Sequence, residues 1–305
     1  MKKTIILISL IAVCAISLMA CGGGGTSGGS SSDSSAGASS TTQFDTSKNI
    51  SIVAREDGSG TKTAFMELIG LKGKPDPKNV IIQTGTAGVL AEVKGNPWAI
   101  AYDSLGYITD DVKKLNVEGV EATTDNIKDG SYQISRPLSV VYKESSLGTA
   151  VNQAYLTFLQ SSDAQEIISS SGYVSVVDNA PAYTVDGSLS GSIDASGSTS
   201  LQPLMIDLAE AFEKLQPNVT VNVSGGGSGT GYNNAEQGVS AFGDISEEFS
   251  QDKAPSCTYY TVCKDGIAVI VNNANPLDNI TMDQLKNIYD ADAGANAITK
   301  WSGLQ

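Results

Sequence analysis

The sequence predicts an α/β fold. Three stretches of the chain share one local pattern, in which an alternating apolar segment is followed by a turn of Gly, Ser and Thr and then by apolar residues at helical spacing. Strands that alternate with helices in this way are typical of α/β proteins. The chain has 305 residues, of which 40% are hydrophobic. That length is sufficient for one large domain or two ordinary domains, each with its own core.

The N-terminus has the pattern of a bacterial export signal. Two lysines precede an apolar run over 5–19, which is interrupted only by Ser9 and Ser17. The run is too short for a comfortable bilayer span and suits a signal peptide, predicted over 1–20. The residues before Cys21 resemble a lipobox, so we expect lipid attachment at Cys21. The alternative is an ordinary secretory signal with an incidental cysteine.

A low-complexity segment follows the signal. Apart from Asp33, residues 22–42 are Gly, Ser, Thr and Ala, and cannot bury a core. We therefore predict a disordered tether over 21–45 that holds the folded body at the outer face of the cell membrane. No later segment has the pattern of a membrane span, so the lipid is the only predicted membrane contact.

Composition excludes several classes of function. The chain has 33 Asp and Glu against 19 Lys and Arg, a formal charge of −14, and no histidine. Nucleophile systems that depend on histidine and the usual zinc sites are therefore excluded, and no metal site is predicted. The acidic balance also argues against nucleic acid as a partner.

Two cysteines remain after the signal and the lipid site. Cys257 and Cys263 could close a small disulfide loop in an exported protein. Alternatively they are two free thiols on one strand, where residues six apart share a face but lie too far apart to bond. The sequence does not decide between the two.

The three strand–turn–helix units follow one another along the chain. The first has a strand over 50–54, a turn over 55–61 and helical spacing from Phe65. The second has a strand over 192–195 and a turn over 196–200. Its helix, over 201–215, has the clearest apolar stripe in the chain, and we expect that stripe to be core. The third unit alternates strictly over 219–223 and continues into the glycine-rich turn 225–231.

Turns of this kind can bind an anion. A helix start has unpaired N–H groups and the positive end of the helix dipole, glycine permits close approach of a ligand, and Ser or Thr hydroxyls add donors. A single such turn more often only caps its helix. Three of them, one with Arg55, favour a shared tetrahedral oxyanion. The order of residues required for a nucleotide-binding P-loop is absent from the sequence.

Several motifs together resemble the lipid-anchored phosphate-binding proteins of bacterial phosphate ABC transporters, over about 47–305. The motifs are Arg55-Glu56-Asp57-Gly58-Ser59-Gly60-Thr61, Ile100-Ala101-Tyr102, Leu105-Gly106-Tyr107, Ser196-Gly197-Ser198-Thr199, Gly226-Gly227-Ser228-Gly229-Thr230-Gly231 and Lys264-Asp265-Gly266-Ile267-Ala268-Val269. The resemblance implies a two-lobed fold like that of type II periplasmic binding proteins, with mixed sheets flanked by helices and a ligand cleft between the lobes. It implies one discontinuous lobe over 46–133 plus 257–305, and a second lobe over 134–256.

The order of the segments differs from the family pattern, in which the part like 188–305 precedes the part like 50–177. The chain therefore resembles a circular permutant with its join near 180–191. The alternative is a fragment of a duplicated gene. If one chain forms the whole fold, we expect Gln305 to lie beside 48–50.

The resemblance also implies the ligand contacts. Arg55 would bind phosphate with two nitrogens, since a guanidinium matches two oxygens of a tetrahedral anion; the alternative is a surface salt bridge to Glu56 or Asp57. An acceptor would distinguish phosphate, which carries a proton near neutral pH, from sulfate. Asp57 is one candidate, and Ser246 stands where many members of the family have Asp. The full set of predicted contacts is Arg55, Asp57, Ser59, Gly60, Thr61, Ser198, Thr199, Ser200, Ser228 and Ser246.

The sequence thus predicts a monomeric, extracellular, high-affinity phosphate-binding lipoprotein that delivers phosphate to the permease subunits of an ABC importer. It predicts no enzyme activity and no cofactor. A phosphate-sensing or scavenging lipoprotein without a transport role is the first alternative. A phosphohydrolase that uses the same turns is the second, and it lacks an evident nucleophile, base or metal cluster.

Overall fold

A computed structural model describes residues 43–304. The signal peptide, most of the tether, Cys21 and Gln305 lie outside the described residues. The strands of this part are β1 (Ser51–Arg55), β2 (Ile81–Gln83), β3 (Ala99–Ser104), β4 (Val112–Lys114), β5 (Asn116–Val117), β6 (Ser135–Tyr142), β7 (Val174–Ser175), β8 (Gly191–Gly197), β9 (Val219–Gly225), β10 (Phe242–Ile245), β11 (Thr258–Asn272) and β12 (Asn279–Ile280). The α-helices are α1 (Gly60–Leu68), α2 (Gly85–Gly95), α3 (Thr124–Lys128), α4 (Ala150–Leu159), α5 (Ser162–Ser170), α6 (Gln202–Leu215), α7 (Ser228–Gln237) and α8 (Met282–Tyr289).

Ten of these twelve strands form one mixed sheet, and β5 and β12 pair with each other as a separate two-stranded sheet. Eight of the ten lie in the order β2-β1-β3-β11-β6-β10-β8-β9, and β4 and β7 also pair with β11. Both ends of the sheet are parallel, with β1 between β2 and β3 at one end and β8 between β10 and β9 at the other. The middle is antiparallel. This mixed sheet with flanking helices confirms the predicted α/β fold class.

The long strand β11 joins the two ends of the sheet. Its first part pairs with β6, from Thr258 to Gly266, and its second part pairs with β3, from Ile267 to Val271. One continuous strand in the antiparallel middle therefore connects the part of the sheet that contains β3 with the part that contains β6.

Two large hydrophobic cores flank this junction. One draws its buried residues from 50–134, 174 and 267–304, and the other draws its residues from 138–263. The chain passes from one core to the other in β6 and again in β11. These positions are close to the boundaries predicted for the two lobes, although a division into separately moving lobes stays a prediction.

The clearest predicted helix is present. The helix α6 begins at Gln202, and its buried side chains are Leu204, Met205, Leu208, Ala209 and Phe212. All five belong to the apolar stripe seen in the sequence, and all five lie in the second core. The prediction that this stripe is core is confirmed.

The two ends of the described chain lie side by side. Asn49 forms an antiparallel bridge with Lys300. The Ile50 N–H donates to the Thr299 carbonyl at 2.8 Å, and the Trp301 N–H donates to the Lys48 carbonyl at 3.2 Å. The C-terminal segment therefore lies against 48–50 as predicted, with Gln305 itself outside the described residues.

The possible disulfide is absent. Cys257 and Cys263 are both free and buried. Six residues of extended chain span about 20 Å, whereas a disulfide requires Cα atoms within about 7 Å. The ladder between β11 and β6 also shifts register between Thr261 and Cys263, as at a β-bulge. The two thiols lie in different hydrophobic clusters, Cys257 beside Tyr232 and Cys263 in the second core.

No helix in residues 43–304 is long and apolar enough to cross a membrane.

Candidate functional site

The first of the three turns ends β1 and starts α1. Arg55 is the last residue of β1, and Ser59 caps α1 by accepting the Lys62 N–H at 3.3 Å. Gly60 and Thr61 are the first helical residues, so their N–H groups have no acceptor within the helix. Both are buried. This turn therefore presents unpaired donors inside the protein.

The second turn ends β8 and leads into α6. The Ser198 hydroxyl accepts the N–H groups of Ser200 and Leu201, both at 3.2 Å, and fixes the turn. Gly197 has φ = 142°, and a Cβ at this position would overlap the carbonyl oxygen of Asp244. Only glycine permits this approach. The turn leaves Thr199 and the Ser200 hydroxyl directed toward the first turn, as their contacts show.

The third turn ends β9 and starts α7. Ser228 is the first helical residue and is fully buried. Its hydroxyl accepts the Ser246 N–H at 3.0 Å and lies 3.2 Å from the Ser246 hydroxyl. Gly227 adopts φ = 83°, in the left-handed region that favours glycine. The turn and the loop after β10 thus hold two serine hydroxyls together.

The three turns meet in space. The Thr61 and Ser200 hydroxyls are 2.8 Å apart, and the Gly229 N–H donates to the Gly58 carbonyl at 2.9 Å. A Cβ on Gly60 would overlap the Ser228 hydroxyl and lie 2.8 Å from the Ser246 hydroxyl. Helix starts from distant parts of the chain therefore form one cluster of donors, which we call the donor cluster: Ser59, Gly60, Thr61, Thr199, Ser200, Ser228 and Ser246.

Arg55 is the cation of this cluster, and only 1% of it is exposed. Its Nε and Nη2 each donate to one oxygen of Glu56 at 2.9 Å. The other edge of the guanidinium faces two hydroxyls: Nη2 donates to Thr199 at 3.1 Å and Nη1 to Thr86 at 3.5 Å. These two hydroxyls are 3.3 Å apart. The ion pair with Glu56 that the alternative named is therefore present, but Arg55 is buried and not at the surface.

Glu56 fixes the orientation of Arg55. Burial opposes ionisation of this carboxyl, but the hydrogen bonds and charge of Arg55 outweigh it and hold the pKa of Glu56 below its ordinary value. The Gly85 N–H also donates to it at 3.2 Å. With Glu56 on one edge, the guanidinium turns its other edge toward Thr86 and Thr199. Two parallel N–H groups are suited to two oxygens of a tetrahedral anion.

Asp103 is a second carboxylate beside Arg55. Its Oδ1 lies 4.0 Å from Arg55 Nη1 and accepts the Ser104 N–H at 2.8 Å. The side chain is fully buried. This burial raises the pKa of Asp103 to about 6, although the nearby positive charge of Arg55 and the Ser104 N–H act in the opposite direction.

A second buried ion pair lies where the chain passes between the two cores. Arg136 donates to Asp265 at 3.1 Å and to the Ser246 carbonyl at 3.0 Å. The Ser104 hydroxyl also donates to Asp265, at 2.8 Å. Arg136 therefore links β6, β11 and the loop that contains Ser246.

Asp57 does not join the site. Its side chain is fully exposed and pairs with Lys62 at 2.8 Å. Glu56 and Asp57 both lie beyond the end of β1, in the turn before α1, where strand alternation no longer applies, and here Glu56 is the one that pairs with Arg55. The prediction that Asp57 accepts from the ligand or orients Arg55 is wrong for this structure.

The other predicted residues differ in whether their hydroxyls face the donor cluster or are used within their own turn. Arg55 contacts the donor cluster through Thr199, and the other members of the cluster contact one another. Ser198 lies at the second turn, but its hydroxyl is occupied by the turn itself. Contact of these residues with a ligand stays a prediction.

Three residues of the site were not predicted: Glu56, Thr86 and Asp103. A signal for Thr86 was present, since Thr84-Gly85-Thr86 follows the short strand β2 and starts α2 in the manner of the other turns. Asp103 had no comparable signal, because it lies inside a buried strand.

A cleft of about 350 Å³ opens beside the Thr86 and Thr199 pair. The segment from Gly85 to Ala87 lines one side, and Gln202, Pro203 and Ile206 line the other. In residues 43–304 no group of His, Cys, Asp and Glu is arranged to hold a metal ion.

Known proteins share this architecture. The family model for PBP superfamily domains matches residues 36–163 and 184–304. The phosphate-binding protein PstS 2 of Streptococcus pneumoniae serotype 4 is 34% identical over 266 residues, which are 85% of this chain and 89% of that protein. PstS 2 of Streptococcus agalactiae serotype V is 35% identical over 264 residues, 84% of this chain and 87% of its own. The crystal structure of a phosphate-binding protein of a phosphate ABC transporter from Streptococcus pneumoniae TIGR4 matches with a TM-score of 0.67 and 33% identity, over 85% of this chain and 100% of that chain.

These matches bear on the order of the segments. One alignment follows both chains through 85% of this sequence, whereas a chain with swapped halves would align over only one of them. No permutation is therefore seen relative to these streptococcal proteins, and permutation relative to other members stays a prediction. On the family model and on these relatives, the chain belongs to the PBP superfamily and, within it, to the PstS family of substrate-binding proteins of phosphate ABC transporters.

Proposed function

We propose that this protein binds inorganic phosphate between Arg55 and the donor cluster, and delivers it to the permease subunits of an ABC importer. The observation that supports this most directly is the buried guanidinium of Arg55. Glu56 occupies one edge of it, and the other edge faces the hydroxyls of Thr86 and Thr199, at 3.5 and 3.1 Å. Those hydroxyls are where two oxygens of an anion would be received.

The donors suit a fixed, dehydrated oxyanion. Helix starts supply the N–H groups of Gly60, Thr61 and Ser228. The Ser and Thr hydroxyls and the Arg55 guanidinium complete the set of donors around the anion. Hydrogen bonds with a charged partner contribute about 1.5–3 kcal/mol each. Several of them, after the cost of association, could supply the roughly 8 kcal/mol of a micromolar site.

Access to such a buried site requires movement. The lobes proposed are 46–133 plus 257–305 and 134–256, with closure around the anion. The passage of β6 and β11 between the two cores supports this division, since few segments cross there. Arg136 and Asp265 lie in those segments and would keep them aligned while the lobes open.

The proposed location is the outer face of the bacterial membrane. There Cys21 would carry the lipid and 21–45 would form the tether of a monomeric, non-catalytic protein. The similar crystal structure from Streptococcus pneumoniae TIGR4 is named as the phosphate-binding protein of a phosphate ABC transporter, which favours delivery over the sensing or scavenging alternative. A hydrolytic role would need a nucleophile with a base or a metal, and neither occurs in the donor cluster.

Isothermal titration of the purified protein with phosphate, arsenate and sulfate tests the proposal. We expect one phosphate per chain with an affinity of about micromolar or tighter, similar binding of arsenate, and much weaker binding of sulfate. Arg55→Ala should abolish phosphate binding. Lys72→Ala, which removes an exposed cation paired with Glu67, serves as the matched control and should bind normally.

Two results would contradict the proposal. If no oxyanion produces heat of binding or raises the melting temperature, the proposed function is wrong. If Arg55→Ala binds phosphate with full affinity, the site lies elsewhere. Release of phosphate from a phosphoester would favour the hydrolytic alternative.

A further inference from the structure

A site for phosphate needs an acceptor to exclude sulfate, and this inference rests on the phosphate binding proposed above. The two anions have the same shape, but phosphate carries a proton near neutral pH and can donate one hydrogen bond. The predicted acceptor Asp57 faces solvent, and Ser246 has no carboxylate. The nearby Glu247 bonds to Lys253 with both oxygens, at 2.8 Å. None of these carboxylates is free to accept from a ligand at Arg55.

Asp103 lies beside Arg55 and has one carboxylate oxygen without a partner among residues 43–304. Asp103 lies near the end of β3. This strand pairs in parallel with β1, and its register brings the Asp103 carboxylate beside Arg55. Oδ1 accepts the Ser104 N–H and lies 4.0 Å from Arg55 Nη1, whereas Oδ2 is buried and has no hydrogen-bond partner among residues 43–304. A buried acceptor without a partner is costly. Its position beside a guanidinium edge that faces the site suggests that a ligand supplies the partner.

The other buried carboxylates near the site are already engaged or belong elsewhere. Both oxygens of Glu56 accept from Arg55. In Asp265, Oδ2 accepts from Arg136 and Ser104, and Oδ1 has no partner among residues 43–304, but the cation that pairs with Asp265 is Arg136 and not Arg55. Asp244 has no cation beside it. Among these carboxylates, Asp103 is therefore the one that lies next to Arg55 Nη1 and still has an oxygen, Oδ2, without a partner.

We propose that Asp103 determines the specificity of the site, with Oδ2 accepting a hydrogen bond from the protonated oxygen of an oxyanion held by Arg55. Phosphate and arsenate supply that proton. Sulfate would place lone pairs against the carboxylate, and both groups would be left unpaired in a buried site. A site built on a specific hydrogen bond can discriminate by about 10⁴–10⁵ in this way.

The protonation of Asp103 gives a second consequence. Burial raises its pKa to about 6, against the effects of Arg55, the Ser104 N–H and Arg136, and together with the charge of Asp265. Below this pH the carboxyl becomes a donor. The same oxygen that repels sulfate at neutral pH can then donate to it, so that discrimination against sulfate falls as the pH falls through about 6.

Titration of Asp103→Asn with phosphate and sulfate tests the inference. This substitution keeps the shape and replaces the acceptor oxygen with an amide that can donate. We expect phosphate binding to weaken by about tenfold or more, and sulfate binding to strengthen by a similar factor. Asp57→Asn removes an exposed carboxylate from the same region and should leave both affinities unchanged. Thermal unfolding of each variant establishes that it is folded.

A measurement on the unchanged protein decides the matter even if the variant does not fold. Competition of sulfate with phosphate should strengthen at least about tenfold between pH 7.5 and pH 5, while arsenate competition should change far less. Asp103→Asn with unchanged selectivity, or sulfate competition that does not change with pH, would overturn the role of Asp103 and leave phosphate binding intact. Absence of phosphate binding in the unchanged protein would instead overturn the proposed function, and this inference with it.

Discussion

Arg55 donates from Nη2 to the Thr199 hydroxyl at 3.1 Å, across 144 positions of sequence. Arg55 is the last residue of β1, whose buried residues pack in the first core. Thr199 lies in the turn before α6, which packs in the second core. The contact therefore joins the two parts of the molecule at the proposed ligand site. The Thr199 hydroxyl accepts from the guanidinium here, and under the proposed function it would donate to the bound anion.

Thr199→Val should weaken phosphate binding by about 10- to 100-fold, because a hydrogen bond to a charged group contributes about 1.5–3 kcal/mol. Valine has nearly the shape of threonine and lacks only the hydroxyl. Isothermal titration measures the change. Thr199→Ser retains the hydroxyl and should bind within a few-fold of the unchanged protein. Equal affinity of the Val and Ser variants would show that the hydroxyl does not contact the ligand.

Gly60→Ala should damage both folding and binding. The added Cβ would overlap the Ser228 hydroxyl and crowd Ser246, and overpacking of this kind costs about 1–3 kcal/mol. Denaturant unfolding should show that loss, and titration should show weakened phosphate binding because the two turns are forced apart.

The control for this change is Gly95→Ala. A Cβ at Gly95 meets no atom within 4 Å, and alanine in a helix is preferred to glycine by about 0.5–1 kcal/mol. We expect this variant to be as stable as the unchanged protein or more stable, with full affinity. A Gly60→Ala protein that behaved like it would contradict the close packing of the turns.

Local patterns were sufficient to predict the three turns. Arg55, Thr61 and Ser200 each stand within a few residues of a strand end and a helix start, where strand alternation gives way to helical spacing. The chemistry of these turns is set by residues adjacent in sequence. Their approach to one another was supplied by the family resemblance and is seen in the 2.8 Å contact of Thr61 with Ser200.

The residues that sequence reasoning missed are placed by tertiary structure. Asp103 lies beside Arg55 only because β3 pairs with β1 in a register that matches Ile100 with Ile52, and no local pattern specifies that register. The choice between Glu56 and Asp57 likewise depends on the path of the turn after β1. Cys257 and Cys263 were ambiguous because their spacing alone does not say whether the residues between them form a loop or, as here, a strand.

Cys257 and Cys263 should both react as free thiols. Alkylation of the unfolded protein without reductant, followed by mass spectrometry of the peptides, should label both fully. In the folded protein both should react slowly, because they are buried and because burial, aided by Glu236, raises the pKa of Cys257 to about 11. Recovery of a peptide in which the two cysteines are linked, or a lower melting temperature with reductant, would contradict the structure.

Asp244 should make the protein less stable as the pH rises. It is fully buried in β10 and neither carboxylate oxygen has a partner among residues 43–304, so burial raises its pKa from 3.8 to about 8. A raised pKa means that the folded state binds the proton more tightly than the unfolded state does. The resulting stabilisation is fully present below about pH 3.8 and is lost as the pH rises through about 8.

Asp244→Asn removes this titration and should therefore gain stability relative to the unchanged protein as the pH rises. One pKa unit corresponds to about 1.36 kcal/mol, and we expect the difference in unfolding free energy to grow by roughly 2–4 kcal/mol between pH 4 and pH 9. Denaturant unfolding across that range measures it, with the exposed Asp57→Asn as control. Parallel stability profiles of Asp244→Asn and the unchanged protein would mean that the Asp244 carboxyl is not kept protonated by its surroundings, and that a polar group outside the described contacts stabilises its charge.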